Sequence, residues 1–153
     1  MVSVAAGCEW HDLNESARFG RALREAIETR GDATVALLAS GSLSHRFAPN
    51  GRLLEFAHRV WNPMLEGIDH EIVDLWEQGR WKDFCDMLPM VSETCFGEGR
   101  MHDMAMLMGA LGWDACQGRA EVVTPCWGSC GTGQVHALFP VGQSPAAWQR
   151  DAP

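Results

Sequence analysis

Two kinds of apolar pattern alternate along the chain. Short unbroken apolar runs bounded by Gly, Ser or Asp read as buried strands; longer stretches with apolar residues every three or four positions read as amphipathic helices. Residues 2–7 (VSVAAG) form the first short run. A helix follows through Arg30, with Asp12 or Asn14 as the residue that accepts from the free N–H groups of its first turn, and Gly31-Asp32 stops it. Residues 33–39 (ATVALLA) form a second apolar run that ends in Ser40-Gly41-Ser42 and opens into Leu43-Ser44-His45-Arg46. Strand, helix, strand in this order predicts a βαβ unit, which favours parallel pairing and a right-handed crossover.

Beyond the turn at Pro49-Asn50-Gly51, residues 53–61 read as a short helix or an ordered loop, ended near Asn62-Pro63 because the residue before proline avoids the α region. Residues 65–77 carry a stronger helical stripe, Ile68, Ile72, Leu75 and Trp76, and Gly79 closes it. A further helix over 81–88 is expected to stop at Pro89, with one or two turns more over 90–96. Residues 101–111 are apolar nearly all round, which predicts a buried helix ended by Gly112. Residues 121–124 and 135–139 read as strands separated by a Gly-rich loop over 128–133. The fold class expected is therefore α/β: a mixed, partly parallel sheet with flanking helices over residues 1–141, and a flexible tail over 142–153 rich in Pro, Ala and Gln.

With 153 residues the chain is long enough for one domain with a core of its own. Its net charge of −8 leaves no basic cluster to neutralise phosphates, which argues against a nucleic-acid surface. No apolar stretch is long enough to cross a bilayer. The start MVSVAAGC ends like a lipoprotein cleavage site but lacks a basic lead-in and an apolar run of sufficient length. The six cysteines have no zinc-pair spacing, Cys126-x3-Cys130 included, and read as free thiols of a cytoplasmic protein.

Two residues stand out for chemistry. His45 follows the C-terminal end of a predicted strand, where α/β sheets collect reactive groups; read alone, it is more often a loop histidine that hydrogen-bonds its neighbours. Glu98 sits between Gly97 and Gly99, ahead of the buried helix; read alone, it is a glutamate favoured by the positive end of that helix. A Ser/His hydrolase reading of Ser40–His45 is weak, because no G-x-S-x-G elbow exists. The loop Ser129–Gln134 lacks the Lys-Ser/Thr of a phosphate-binding loop and reads as a turn near the mouth of the site.

Four segments then narrow the reading: ALLASGSLSHRF (36–47), LWEQGRWKDFCDMLP (75–89), CFGEGRMHDMAMLMGALGWD (95–114) and GTGQVHALFP (131–140). In that order they resemble the class III extradiol ring-cleavage dioxygenases of the protocatechuate 4,5-dioxygenase type, over Val2 to about Val141, and most of all the branch acting on 3,4-dihydroxyphenylacetate. The resemblance implies that His45 is the acid/base that takes a proton from a catechol hydroxyl and later returns one to the departing oxygen. It implies that Glu98 is the carboxylate of a 2-His-1-carboxylate triad holding non-haem Fe(II), with open positions for catechol and O2. His102 and Asp103 fall in the family's Met-His-Asp and read as helix-start packing or groups behind the ligands; His136 stands where the family usually has Asn. Arg46 or Arg100 is the candidate to meet an acidic substrate side chain, and neither ranks above the other.

The resemblance covers only the C-terminal half of such enzymes, whose two histidine ligands lie in the N-terminal half. No H-x3-H or similar pair among His11, His58, His70, His102 and His136 replaces them. The expectation is thus an incomplete dioxygenase chain, completed by a missing N-terminal half or a partner subunit and prone to self-association as a homo-oligomer. The alternative is a degenerate, non-catalytic relative that serves as a binding module.

Overall fold

The first helix is built as its ends dictate. The structure, a computed structural model, describes residues 1–139 apart from 6, 9, 32 and 33. Helix α1 spans Leu13–Arg30; the Asp12 side chain accepts from Glu15 N–H while Glu15 reaches back to Asp12 N–H, and Gly31 closes the far end in the left-handed region. Helix α2 (Pro63–Gln78) starts on Asn62, which caps Met64 N–H, and ends on Gly79. Helix α3 spans Trp81–Cys95 and α4 spans His102–Leu111.

The core lies between α2, α3 and α4. Leu65, Ile72, Leu75 and Trp76 of α2 meet Phe84, Leu88 and Val91 of α3 and Met104 and Met108 of α4, all buried. Trp76 and Phe84 meet edge to face, their ring centroids 5.3 Å apart. Helix α1 covers the outer side of α4, the most extensive helix pairing in the fold. The two backbones come close because a Cβ on Gly20 would strike Met106 O and one on Gly109 would strike Ala17 O. No helix among the described residues is long and apolar enough to cross a membrane.

Three expectations are corrected. The parallel βαβ sheet is absent: neither run flanking α1, as far as it is described, is a strand, and most of residues 34–41 is exposed rather than buried. A strand is defined by its pairing partner, and among the described residues these runs have none. The strands present are antiparallel and short. β1 (Glu121–Val122) pairs with β4 (Ala137–Leu138), and β2 (Trp127–Ser129) pairs with β3 (Thr132–Gln134). The predicted Gly-rich loop is thus itself a hairpin, and a lone parallel bridge joins Val60 to Gly131. Finally, α3 runs through Pro89 to Cys95 instead of stopping. Pro89 lies on the exposed face with solvent at hand, while Phe84, Leu88, Val91 and Cys95 are all buried on the other side; packing of that stripe outweighs the lost hydrogen bond. The tail expected over 142–153 lies outside the described residues.

Candidate active site

The end of the second apolar run is gripped from both sides. On one side His45 N–H donates to Cys95 O at 3.0 Å and Glu98 N–H donates to Ser42 O at 3.2 Å, an antiparallel clasp with the segment leaving α3. On the other, Leu43 N–H donates to Gly133 O at 2.9 Å and Gly133 N–H donates to Ser44 O at 3.0 Å. Position 133 has to be glycine: a Cβ there would collide with Asp69 Oδ2. The Gly-rich hairpin therefore lies behind the His45 segment, close against it.

Asp69 is the buried anchor of this arrangement. Its Oδ1 accepts from Ser44 N–H at 2.8 Å and its Oδ2 from Ser44 O–H at 2.6 Å, fixing the residue next to His45 from α2. Burial pushes its carboxyl up to about 6, against the two Ser44 hydrogen bonds that favour the charged form. A carboxyl raised in the folded state gives full stability below its unfolded pKa, and that stability is lost as pH rises through about 6. Asp69→Asn, which keeps an acceptor for Ser44 N–H and carries no charge, should match wild type near pH 4. It should then become the more stable of the two by roughly 2–3 kcal/mol above pH 6. Urea unfolding across that window checks this; a difference that stays constant with pH would mean Asp69 is not penalised by burial. Sequence reading missed this residue, although an aspartate on the apolar stripe of α2, between Leu65 and Ile72, was its signal.

Glu98 rides on a strained turn. Gly99, Arg100 and Met101 all take left-handed dihedrals, with φ of 61°, 53° and 63°. Glycine adopts this without cost, whereas Arg and Met do not, and such strain collects at functional sites. The Glu98 side chain is exposed, and its Oε2 accepts a long 3.4 Å contact from Ser42 O–H. Burial raises the pKa of Asp103, with a smaller push from the nearby charge of Glu98, so a second carboxyl lies close to the first.

His45 is half-buried and meets Phe47 edge on, their ring centroids 4.8 Å apart. Together with Cys8, Phe96, Gly97, Gly99 and Arg100 it lines an open cleft of about 450 Å³. The loop that carries Glu98 is thus a wall of the cleft that holds His45, while the Glu98 carboxylate itself rests at Ser42. The Arg46 guanidinium lies 4.2 Å from the Phe96 ring centroid and that of Arg100 lies 5.9 Å from it. Neither arginine enters an ion pair among the described residues.

The other histidines lie elsewhere. His136 is exposed and contacts Trp127. His102 is buried: its Nδ1 is 2.8 Å from Ser16 Oγ, which in turn is 3.0 Å from His11 Nε2, and His11 Nδ1 reaches Gly7 O at 3.0 Å. A carbonyl only accepts, so with both rings neutral His11 carries its proton on Nδ1, Ser16 donates to His11, and His102 donates to Ser16. Burial, then the neighbouring His11, hold the His102 pKa below the ordinary imidazole value. This places His102 in helix-start packing, tying α4 to α1. No group of three His, Cys, Asp or Glu side chains positioned for a metal occurs among the described residues.

Residues 1–140 match the family described as the catalytic LigB subunit of aromatic ring-opening dioxygenase. The chain belongs to the LigB family. It is also 42% identical over 127 residues to a protein of Escherichia coli named 3,4-dihydroxyphenylacetate 2,3-dioxygenase. That match covers 83% of this chain and 46% of the relative, so the chain spans about half the length of the curated relative it matches.

Proposed function

We propose that this chain contributes the proton-transfer histidine and the carboxylate ligand to a non-haem Fe(II) extradiol dioxygenase site, in a cytoplasmic enzyme of aromatic catabolism. The observation that carries the reading is the antiparallel clasp of His45 and Ser42 on Cys95 and Glu98, which sets the cleft-lining imidazole and an exposed carboxylate on adjoining pieces of backbone. Glu98 suits a metal: its carboxylate is exposed, and its hydrogen bond from Ser42 O–H is a long contact that an ion would displace. It amounts to one donor, and with no three-donor cluster among the described residues the two histidines of a facial triad come from polypeptide outside this sequence.

An Fe(II) held by Glu98 and the two histidines would supply open positions for catechol and O2 and a path for charge between them. The chain's own residues do the rest. His45 accepts the proton of a catechol hydroxyl and returns one to the departing oxygen, since imidazole exchanges protons near neutrality. Arg100, on the cleft wall beside Phe96, meets the side-chain carboxylate of a substrate such as 3,4-dihydroxyphenylacetate. Arg46 stands closer to Phe96 but does not line the cleft, which ranks Arg100 first.

The test is an anaerobic Fe(II) titration followed by O2, with and without a polypeptide that supplies the missing histidines, watching for the yellow ring-cleavage product. The reading expects turnover only in the completed assembly. Arg100→Ala should then lower kcat/KM for 3,4-dihydroxyphenylacetate by about 10–100-fold while leaving 4-methylcatechol within about twofold. An equal loss on both catechols removes Arg100 from substrate recognition. No turnover in an assembly that has formed overturns the enzyme reading in favour of a degenerate, non-catalytic relative.

A further inference from the structure

The run that leads to His45 carries side chains for a sheet interior and, among the described residues, has no sheet around it. Residues 34–41 belong to no helix or strand, and among the described residues no hydrogen bond is made to or from their backbone, whereas Ser42, Leu43, Ser44 and His45, next along, are bonded on both sides. Leu38 is 89% exposed, and Ala36 and Leu37 are exposed beside it. Backbone groups and apolar side chains left bare together make an acceptor for an added strand.

A cavity adjoins the run. It measures about 370 Å³ and is lined by Val35, Leu37, Leu43, Trp76, Leu107 and Phe139 among others. Trp76 is 2% exposed, and its indole N–H has no partner among the described residues. A buried donor without an acceptor is costly, and a carbonyl brought by a neighbouring strand relieves it. The curated relative carries more than half of its length outside the stretch that matches here.

We infer that residues 34–41 and the cavity beneath them are the docking surface for the complementary part of the dioxygenase fold, which adds a strand to this run and covers Leu37 and Leu38. This rests on the function proposed above and deepens it: the added strand holds the base of the segment whose tip, already clasped at Ser42 and His45, carries the acid/base. The surface is apolar and its backbone is unpaired among the described residues, so its occupant is a β-strand with apolar side chains rather than a charged or helical partner.

The experiment coexpresses the full chain with the portion of the E. coli relative outside the match. It reads association by copurification and equilibrium titration, and backbone amide exchange over residues 34–41. Free, these amides should exchange at nearly the rate of unstructured peptide; in the complex they should slow by at least about a hundredfold. Leu38→Lys, on a side chain that the free chain leaves in water, should weaken association by about tenfold or more, and Leu54→Lys, equally exposed but outside the run and the cavity lining, should not. Four results would overturn the inference: slow exchange over 34–41 in the monomeric free chain; association that leaves these amides unprotected; no association; or a homodimer that protects them and excludes the companion. A complex that protects residues 34–41 yet cleaves no catechol with Fe(II) would support this surface and sink the catalytic reading, so the two fail separately.

Discussion

Replacing Glu98 with alanine is expected to strip iron from the completed enzyme while leaving the fold intact. Under the proposed function this chain supplies one metal donor, and that donor is the charged one. Two neutral imidazoles then remain to hold a divalent ion in competition with water. Changes to groups that merely support ligands already cost 10–100-fold in metal affinity, so loss of a ligand should cost more than about 100-fold. The side chain is exposed and its contact with Ser42 spans 3.4 Å, so the substitution removes little packing. Thermal unfolding of the iron-free protein should change by no more than a surface substitution does, within about 0.5 kcal/mol. Glu98→Gln keeps the shape and removes the charge, and should fall between wild type and alanine. Metal analysis after gel filtration decides the matter. Full iron in Glu98→Ala would remove this residue from the triad. Asp103 would be a poor substitute, because burial favours its neutral, non-ligating form.

What could be read along the chain and what could not divide by the range of the interaction. Helix α1 was legible because its signals are local: Asp12 at one end, Gly31 at the other, and an apolar stripe between. Asn62-Pro63 and Gly79 did the same for α2. Proline is a local signal as well, and Pro89 misled because burial of Phe84, Leu88 and Val91 against other helices overrode it. Strands failed most, since pairing is non-local. The apolar pattern of residues 34–39 is that of a strand, yet no neighbour among the described residues pairs with it. The clasp that brings His45 to the Glu98 loop joins segments about fifty residues apart, and only resemblance to known enzymes pointed to both ends of it. The Ser16–His102 contact spans 86 positions and left no mark in the sequence. Asp69 was visible as a charge on an apolar face, but nothing local named Ser44 as its partner.

Exchange of His45 for glutamine should have the opposite profile from Glu98→Ala: iron is retained and turnover is lost. The backbone of residue 45 is held through its own N–H on Cys95 O, and that of Ser44 through Asp69, so the segment keeps its seat whatever side chain stands at 45. The ring itself meets Phe47 and the cleft rather than the core, and its removal opens no buried cavity. What disappears is a group able both to take a proton from the catechol and to give one back. Positioned acid/base groups contribute about 10²–10⁴-fold, and kcat should fall within that range. Glutamine can hydrogen-bond but cannot carry the proton, so a steric or polar role for His45 would leave most of the activity in place. The decisive comparison uses a catechol made more acidic by an electron-withdrawing substituent. Such a substrate arrives partly ionised and needs less help in losing its proton, so the deficit of His45→Gln should shrink for it by about tenfold or more. If the deficit is the same for acidic and ordinary catechols, taking the catechol proton is not what His45 does. The cleft would then keep its shape and its arginine, but the reaction would need another base, and among the described residues no other titratable imidazole lines it.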